Sequence, residues 1–369
     1  MKVLVATGRL AEQTVRNSVG DNADVIVVDT EVAAFITPRK LLDAIDRQLP
    51  LFDHELILIP GLASSNFTRA EDELNCKIRL GPKHAYDLSF VVPLADKMEF
   101  STSVPACDLL SGIRREMALG KVEELEINSS PKMQLAGIKL GGNTRMKVLA
   151  EVVDATGLEP EQLSKRIRAF INKGADMIDL GASLHAEADD VQRAIKTARS
   201  VTSAPLSIDT LDPKLISRAL ETGIDLVLSL DSTNIDAVGP EIGRRDVAAV
   251  VIPDSGKGLD SLIANIEHAR SIGVKNIMAD PVLDPIGHGI AGSIARYRDF
   301  HERFPEIPLF FGIGNVTELI DVDSTGVNAT LCGIGADIGA SVLFTPEYSN
   351  KTQGSINELK KASQMMLLA

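Results

Sequence analysis

The sequence predicts an α/β protein in which a flavodoxin- or Rossmann-like parallel unit is followed by a closed (β/α)8 barrel. Three observations predict it. Val- and Ile-rich runs alternate with amphipathic stretches along most of the 369 residues, as parallel strands covered on both faces do. From Met146 the alternation becomes regular, with one strand–helix unit every ~25–35 residues, as a barrel requires. Four of the later runs deliver a polar residue where the strand ends: MIDLGAS with Asp179, PLSIDT with Asp209, NIMADP with Asp280 and PLFFGIGN with Asn315. Barrels of this kind assemble their sites from the C-terminal ends of several strands. Acidic and amide groups at that rim suit a ligand rich in N–H donors.

Three segments are expected: an α/β domain over residues 1–126, a hairpin and linker over 127–143, and the barrel over 144–369. In the first, KVLVAT, DVIVVD and HELILIPG read as strands, and LAEQTVRNSVG and PRKLLDAIDRQL as helices. The apolar run LSFVVPL and a helix near 106–119 complete it. Thr7-Gly8-Arg9 follows the first strand, where such folds often hold phosphate. GRLAE is not GxGxxG, however, and the turn reads as a turn. INSSPKMQLAGIKLGGNTRM, broken by Gly-Gly and Ser-Ser-Pro, suits a small hairpin that plugs the bottom of the barrel.

The barrel strands assigned are KVLAEVVDA, ADMIDLGA, APLSIDT, IDLVLSLD, VAAVVIPD, KNIMADP, IPLFFGIG and ASVLFT. Helices are read in PEQLSKRIRAFINKG, ADDVQRAIKTARSV, DPKLISRALETG, LDSLIANIEHARSIG, IARYRDFHERF and NATLCGIGAD, with SINELKKASQMML closing the chain. A doubly wound open sheet is the alternative, but eight units with polar strand ends favour closure.

Composition narrows the function classes. Trp is absent and aromatics make up 4%, so the cores are built from Val, Ile, Leu and Ala. A formal charge of −13 and a pI near 5.0 argue against nucleic-acid or anionic-membrane surfaces. No apolar run reaches the ~18–20 residues of a membrane span, and MKVLVATGRLAEQ reads as strand then helix rather than as a leader. Cys76, Cys107 and Cys332 are scattered and odd in number, which supports neither a disulfide framework nor a zinc site. A reducing, cytoplasmic setting is expected.

Asp209 sits between a strand and the helix beginning DPKL. Asp212-Pro213 already caps that helix, so Asp209 is free to point inward. Asp280 precedes a long Gly-containing loop in the same way. A carboxylate accepts two parallel hydrogen bonds, and the 2-amino and N3–H groups of a pterin form such a donor pair. Asn315, behind Gly312 and Gly314, either places an amide against a ring nitrogen or caps a helix. Glu151 and Asp154 end the first barrel strand and either reach the pocket or face solvent. His288 is the one histidine in an obvious rim loop.

At SIDT with DPKLISRALETGIDLV, then DP…GHG and GIGN, the chain resembles the pterin-binding barrel superfamily of dihydropteroate synthases and methyltetrahydrofolate:corrinoid methyltransferases. The full layout, ending TPEYSNKT, looks most like the archaeal dihydropteroate synthase-related proteins, associated with tetrahydromethanopterin. The resemblance implies a reduced pterin held by Asp179, Asp209, Ser229, Asp280, Gly312 and Asn315, with Glu151, Asp154 and Lys351 as catalytic candidates. It further implies one-carbon or folate-type metabolism, a homodimer and, in the methyl-transfer branch, a corrinoid protein partner.

The departures from the synthase pattern are specific. Glu151 stands where synthases carry Asn, SLHAEAD replaces STRPG, and Leu228-Ser229 stands where Asn-Asp is expected, with Asp231 and Asn234 farther on. Gly314-Asn315-Val316-Thr317 replaces Ser-Arg-Lys-Ser, and 336–347 contains neither Arg nor His. An acidic rim without those cations repels a pyrophosphate leaving group unless Mg2+ or Lys351 compensates. Asn315 instead matches the methyltransferases' GxSN. Synthesis, methyl transfer and a non-catalytic pterin carrier are thus the three functions expected.

Overall fold

The fold is a computed structural model that describes residues 1–49 and 51–369. The chain forms two compact units, Met1–Leu119 and Gly120–Ala369, and the division falls inside the helix Ser111–Ile127.

The first unit holds four parallel strands, β1 (Val3–Thr7), β2 (Asp24–Val27), β3 (Leu56–Ile59) and β4 (Lys77–Leu80), in the order β2-β1-β3-β4. Strand alternation sends Leu4, Ala6, Ile57 and Ile59 to one face, against Leu41 and Ile45. It sends Val3, Val5, Leu56 and Leu58 to the other, against Val15, Val19 and Val91. Two details differ from the sequence expectation. The run LSFVVPL is helical, as Leu88–Val91 and the 3-10 turn Val92–Leu94, and the fourth strand is KIRL. Its Lys and Arg conceal an alternation in which Ile78 and Leu80 are buried. At the turn after β1, a Cβ on Gly8 would stand 2.8 Å from Ala33 N and Glu31 O. Arg9 pairs with Asp29 at 2.5 Å and Glu31 at 3.1 Å. This turn is therefore a packing turn.

In the second unit the end of the helix Ser111–Ile127 is followed by the antiparallel hairpin β5 (Met133–Leu135) and β6 (Ile138–Leu140). Its two-residue loop, Ala136-Gly137, has positive φ at both positions, which matches the twist of the flanking strands. Leu135 and Leu140 bury themselves among Leu149, Met177, Leu226, Met278, Phe310 and Val342, all inside the barrel. The hairpin is thus a plug for the N-terminal end. Lys139 Nζ donates to the carbonyls of Glu126, Ile127 and Ser129 at 2.8–3.0 Å, which satisfies the last turn of the preceding helix.

Eight parallel strands then close on themselves: β7 (Lys147–Val152), β8 (Met177–Gly181), β9 (Leu206–Asp209), β10 (Leu226–Leu230), β11 (Ala248–Val251), β12 (Ile277–Ala279), β13 (Leu309–Phe311) and β14 (Ala340–Thr345). Closure is made by β14 on β7, with Val342 opposite Lys147. Every expected strand is present. One outer helix, Ile235–Arg245, is absent from the sequence reading because Gly239 and Pro240 interrupt its apolar pattern. The closing helix Ser355–Leu368 is tied to the barrel floor through Asp176. That carboxylate accepts from Arg145 at 2.6 Å, Lys360 at 2.7 Å and the Val148 amide at 2.9 Å.

Candidate functional site

Alternation along the strands sorts the barrel into an outer apolar shell and an inner column. Val148, Ala150 and Val152 of β7 face the helices, whereas Leu149 faces inward with Met177, Leu228, Met278 and Phe310. Farther along β7, β8, β9 and β12 the inward position becomes polar, at Glu151, Asp179, Asp209 and Asp280. Glu151 lies opposite Asp179, Asp179 opposite Ser207, and Gly181 opposite Asp209. Asp280 and Gly312 continue the inward positions of Met278 and Phe310. The apolar column therefore ends in a polar layer at the C-terminal rim.

On one side of this layer, Glu151, Asp179 and Asp209 each offer an oxygen within 4.8 Å of the others. Gly181 makes this possible. A Cβ there would stand 2.7 Å from Glu151 Oε1, so the carboxylate occupies the space a side chain would take. Asp179 is fully buried, and its Oδ1 accepts from the Ser207 hydroxyl at 2.5 Å. Its Oδ2 is buried with no hydrogen-bond partner. Among the described residues, no Lys, Arg or His forms an ion pair with any of the three.

Burial pushes all three carboxyls upward, and neighbouring carboxylates add to the rise at Glu151 and Asp179. Burial, then Asp209, Asp154 and Glu318, brings Glu151 to about 7. Burial brings Asp209 to about 6, and burial with Asp209 and Glu151 lifts Asp179 well above the usual range. Near neutral pH the cluster shares protons rather than carrying three charges.

On the other side, Asp280 is buried and takes two hydrogen bonds on Oδ1, from the Tyr297 hydroxyl and from the Val282 amide at 2.7 Å. Burial raises it to about 6, against the lowering effect of Tyr297. Arg296 holds the loop after β12, donating to the Val282 carbonyl and to Asp284, both at 2.9 Å. Asn315 lies on a single helical turn, Gly314–Thr317, and its Nδ2 donates to the Leu283 carbonyl at 3.1 Å. Gly312 leaves that amide room, since a Cβ would stand 3.2 Å from Asn315 Nδ2.

The structure thus gathers Asp209 with Glu151 and Asp179, and gives Asp280 a separate anchor of its own. Ser229, half-buried at the end of β10, has its carbonyl bound by Asn234 Nδ2 at 3.0 Å. Asp231 accepts from Thr233, so it and Asn234 fix their own loop. Asp154 is exposed, with a left-handed backbone, and contributes only its field to Glu151. Lys351 is half-buried in the 3-10 turn Asn350–Thr352, outside the cluster. His288 is exposed. Sequence reasoning missed Ser207, Gly181, Tyr297 and Arg296. Only Ser207 carried a usable signal, two residues before Asp209 on the same face of its strand.

The pterin-binding enzyme family matches residues 153–322. Over 395 aligned residues the chain is 38% identical to MJ0107, an uncharacterized protein of Methanocaldococcus jannaschii, covering all of this chain and 75% of that one. The chain belongs to the pterin-binding barrel family. Its barrel has the fold of solved dihydropteroate synthases. It superposes on the Yersinia pestis enzyme, solved with a pterin–sulfa conjugate, with a TM-score of 0.52 at 16% identity, over 64% of this chain and 98% of that one. The Thermus thermophilus dihydropteroate synthase gives 0.50 at 21% identity, over 63% and 96%. No helix among the described residues is long and apolar enough to cross a membrane.

Proposed function

We propose that this protein is a transferase of the dihydropteroate synthase type, joining a hydroxymethyl-dihydropterin diphosphate to an arylamine in tetrahydromethanopterin- or folate-type cofactor synthesis. The observation that carries the reading is the polar layer at the barrel rim. Asp280, with Oδ1 already engaged by Tyr297 and Val282, has its second oxygen for the amino-pyrimidinone edge of the ring. Asp209 meets the ring from the β9 side. In the reaction the arylamine nitrogen attacks the exocyclic methylene, the C–O bond to diphosphate breaks, and pyrophosphate leaves. The amine loses one proton. Glu151 and Asp209, brought by burial to about 7 and about 6, are suited to accept it at neutral pH.

Two observations favour methyl transfer from a methyl-tetrahydropterin to a corrinoid protein. Asn315 holds an amide above Gly312 on the β13 side, and the stretch 336–347 offers no Arg or His for a diphosphate. The assay that separates the two supplies purified protein with dihydropterin diphosphate and 4-aminobenzoate and measures pyrophosphate. Arylamine-dependent release supports the synthase. Its absence, with demethylation of methyl-tetrahydromethanopterin once a corrinoid protein is added, replaces the synthase with the methyltransferase. Tight binding of either pterin without turnover replaces both with a carrier. Under all three, Asp280→Ala weakens pterin binding by about 2–4 kcal/mol.

A further inference from the structure

We infer that the N-terminal end of the barrel carries a second binding site, for a small molecule with one oxyanion head, phosphate or carboxylate, on an apolar body. The site is a cleft of about 260 Å3 lined by Lys132, Arg145, Met146, His301 and Ala340, where β7 and β14 begin. It lies at the end opposite the polar rim and stands whichever reaction the rim performs.

The charges come first. The chain bears a formal charge of −13, yet no acidic residue lines this cleft. Arg145 is already neutralised by Asp176. Lys132 and His301 form no ion pair among the described residues. The acids that act on them from a distance are taken: Glu302 pairs with Arg298 and Glu306 with Arg270, both at 3.9 Å. Burial, then the charge on Lys132, holds His301 below its ordinary value, against the raising effect of Glu302. Burial lowers Lys132 as well, against the raising effect of Glu306. Two cationic groups that repel each other without a contacting counter-charge are satisfied together by one anion.

The hydrogen-bonding groups left over are donors. Asn143 Oδ1 accepts the Ser130 amide at 2.7 Å, which leaves Nδ2 to donate. The His301 ring takes the space of a side chain at Gly339, where a Cβ would stand 2.6 Å from Nε2 and 2.8 Å from Nδ1. Its Nδ1 is buried without a partner. A bare lone pair is the cheaper orphan there, so Nε2 carries the proton. Ser341 is an extra residue in β14, because Leu309 pairs with Ala340 and Phe310 with Val342. Such bulges re-aim a side chain. The Ser341 hydroxyl is buried with no partner, and a Cβ on Gly141 would stand 3.1 Å from it and 3.1 Å from Lys132 Cδ. An orphan hydroxyl thus lies beside an unpaired ammonium. Helix C-termini bring partial negative charge to this end of a barrel, but the Ile338 and Gly339 amides close the end of Ser324–Asp337 at 3.0 and 3.2 Å. Met146, Ala340, Met366 and Leu367 supply the apolar wall.

The test follows the His301 ring by nuclear magnetic resonance in the full chain with isotope-labelled histidines, the signal being assigned with His301→Gln. Phenyl phosphate is titrated in, with benzoate and inorganic phosphate as the other arms. A saturable shift of His301 at one ligand per chain, with its titration midpoint raised, is expected. Inorganic phosphate should bind more weakly, since it has no apolar body. Tighter binding of phenyl phosphate assigns a phosphate ester, and tighter binding of benzoate assigns a carboxylate. Lys132→Met should weaken binding at least about tenfold, and Lys132→Arg should keep it. Pterin binding should be the same in both variants as in wild type. The proposal is overturned if His301 shifts with none of the three anions, or if Lys132→Met binds as wild type does. It also fails if His288, in the loop after β12 at the other end, shifts in place of His301. Each of these results leaves the pterin reading standing.

Discussion

The Tyr297 hydroxyl, carried on the outer helix Ile290–Arg303, donates to the Asp280 carboxylate at the end of β12. This bond passes from the outer shell to the inner layer and presses on the residue expected to hold the ligand. Tyr297 is fully buried and also packs edge-on against Phe311, with ring centroids 5.0 Å apart. The hydroxyl stabilises the charged form of Asp280, so Tyr297→Phe should raise the carboxyl further above about 6. Pterin affinity measured against pH should then rise at a higher pH in the variant. An unchanged midpoint would mean that Asp280 does not titrate on binding. The lost bond should also cost about 1–3 kcal/mol of stability in a denaturant titration.

Asp280 itself should make the free protein less stable as pH rises. Its folded value, about 6, lies above its ordinary one of 3.8, so the native state holds a proton that the unfolded chain has released between those values. Its contribution is therefore present below about pH 4 and is lost as pH rises through about 6. Asp280→Asn removes that dependence. The variant should match wild type near pH 4 and exceed it by about 2–3 kcal/mol at pH 8. Denaturant midpoints at the two pH values check this, and an equal difference at both would refute it.

Asp176 neutralises two cations at once, Arg145 and Lys360, and accepts the Val148 amide. Asp176→Asn leaves both cations uncompensated in a nearly closed environment. A loss of about 3–5 kcal/mol is expected, read as a lower denaturation midpoint. Because Lys360 belongs to the closing helix, hydrogen exchange should rise first in Ser355–Leu368.

Leu140→Ala would hollow the plug where it meets Leu149, Met177 and Phe310. About 2–5 kcal/mol should be lost. Pterin binding, at the opposite end of the strands, should be unchanged once measured on folded protein. A large loss of affinity would mean that the two ends of the barrel are coupled.

The barrel was legible because each strand is a short Val/Ile/Leu run flanked by turn residues, and all eight assigned runs form strands. Among the long outer helices of the barrel the one missed, Ile235–Arg245, holds Gly239 and Pro240, which break the very periodicity used to find helices. KIRL escaped because two of its four residues are charged. At the site, Asp209 and Asp280 were visible as strand ends. The grouping of Asp209 with Glu151 was not, because it depends on β7–β8–β9 register and on an absent side chain at position 181. Tyr297 was hidden for a related reason. It lies in an ordinary amphipathic stretch, and nothing local to IARYRDF distinguishes a ring that packs outward from one that reaches a strand end.

The β5–β6 hairpin fills the far end of the barrel with Leu135 and Leu140, so the interior has no back door. Whatever arrives at the acidic floor must leave by the way it came. Two reactants using that passage have to queue, the deeper guest first in and last out. Initial-rate kinetics with both substrates varied should accordingly follow a compulsory order, with the pterin leading.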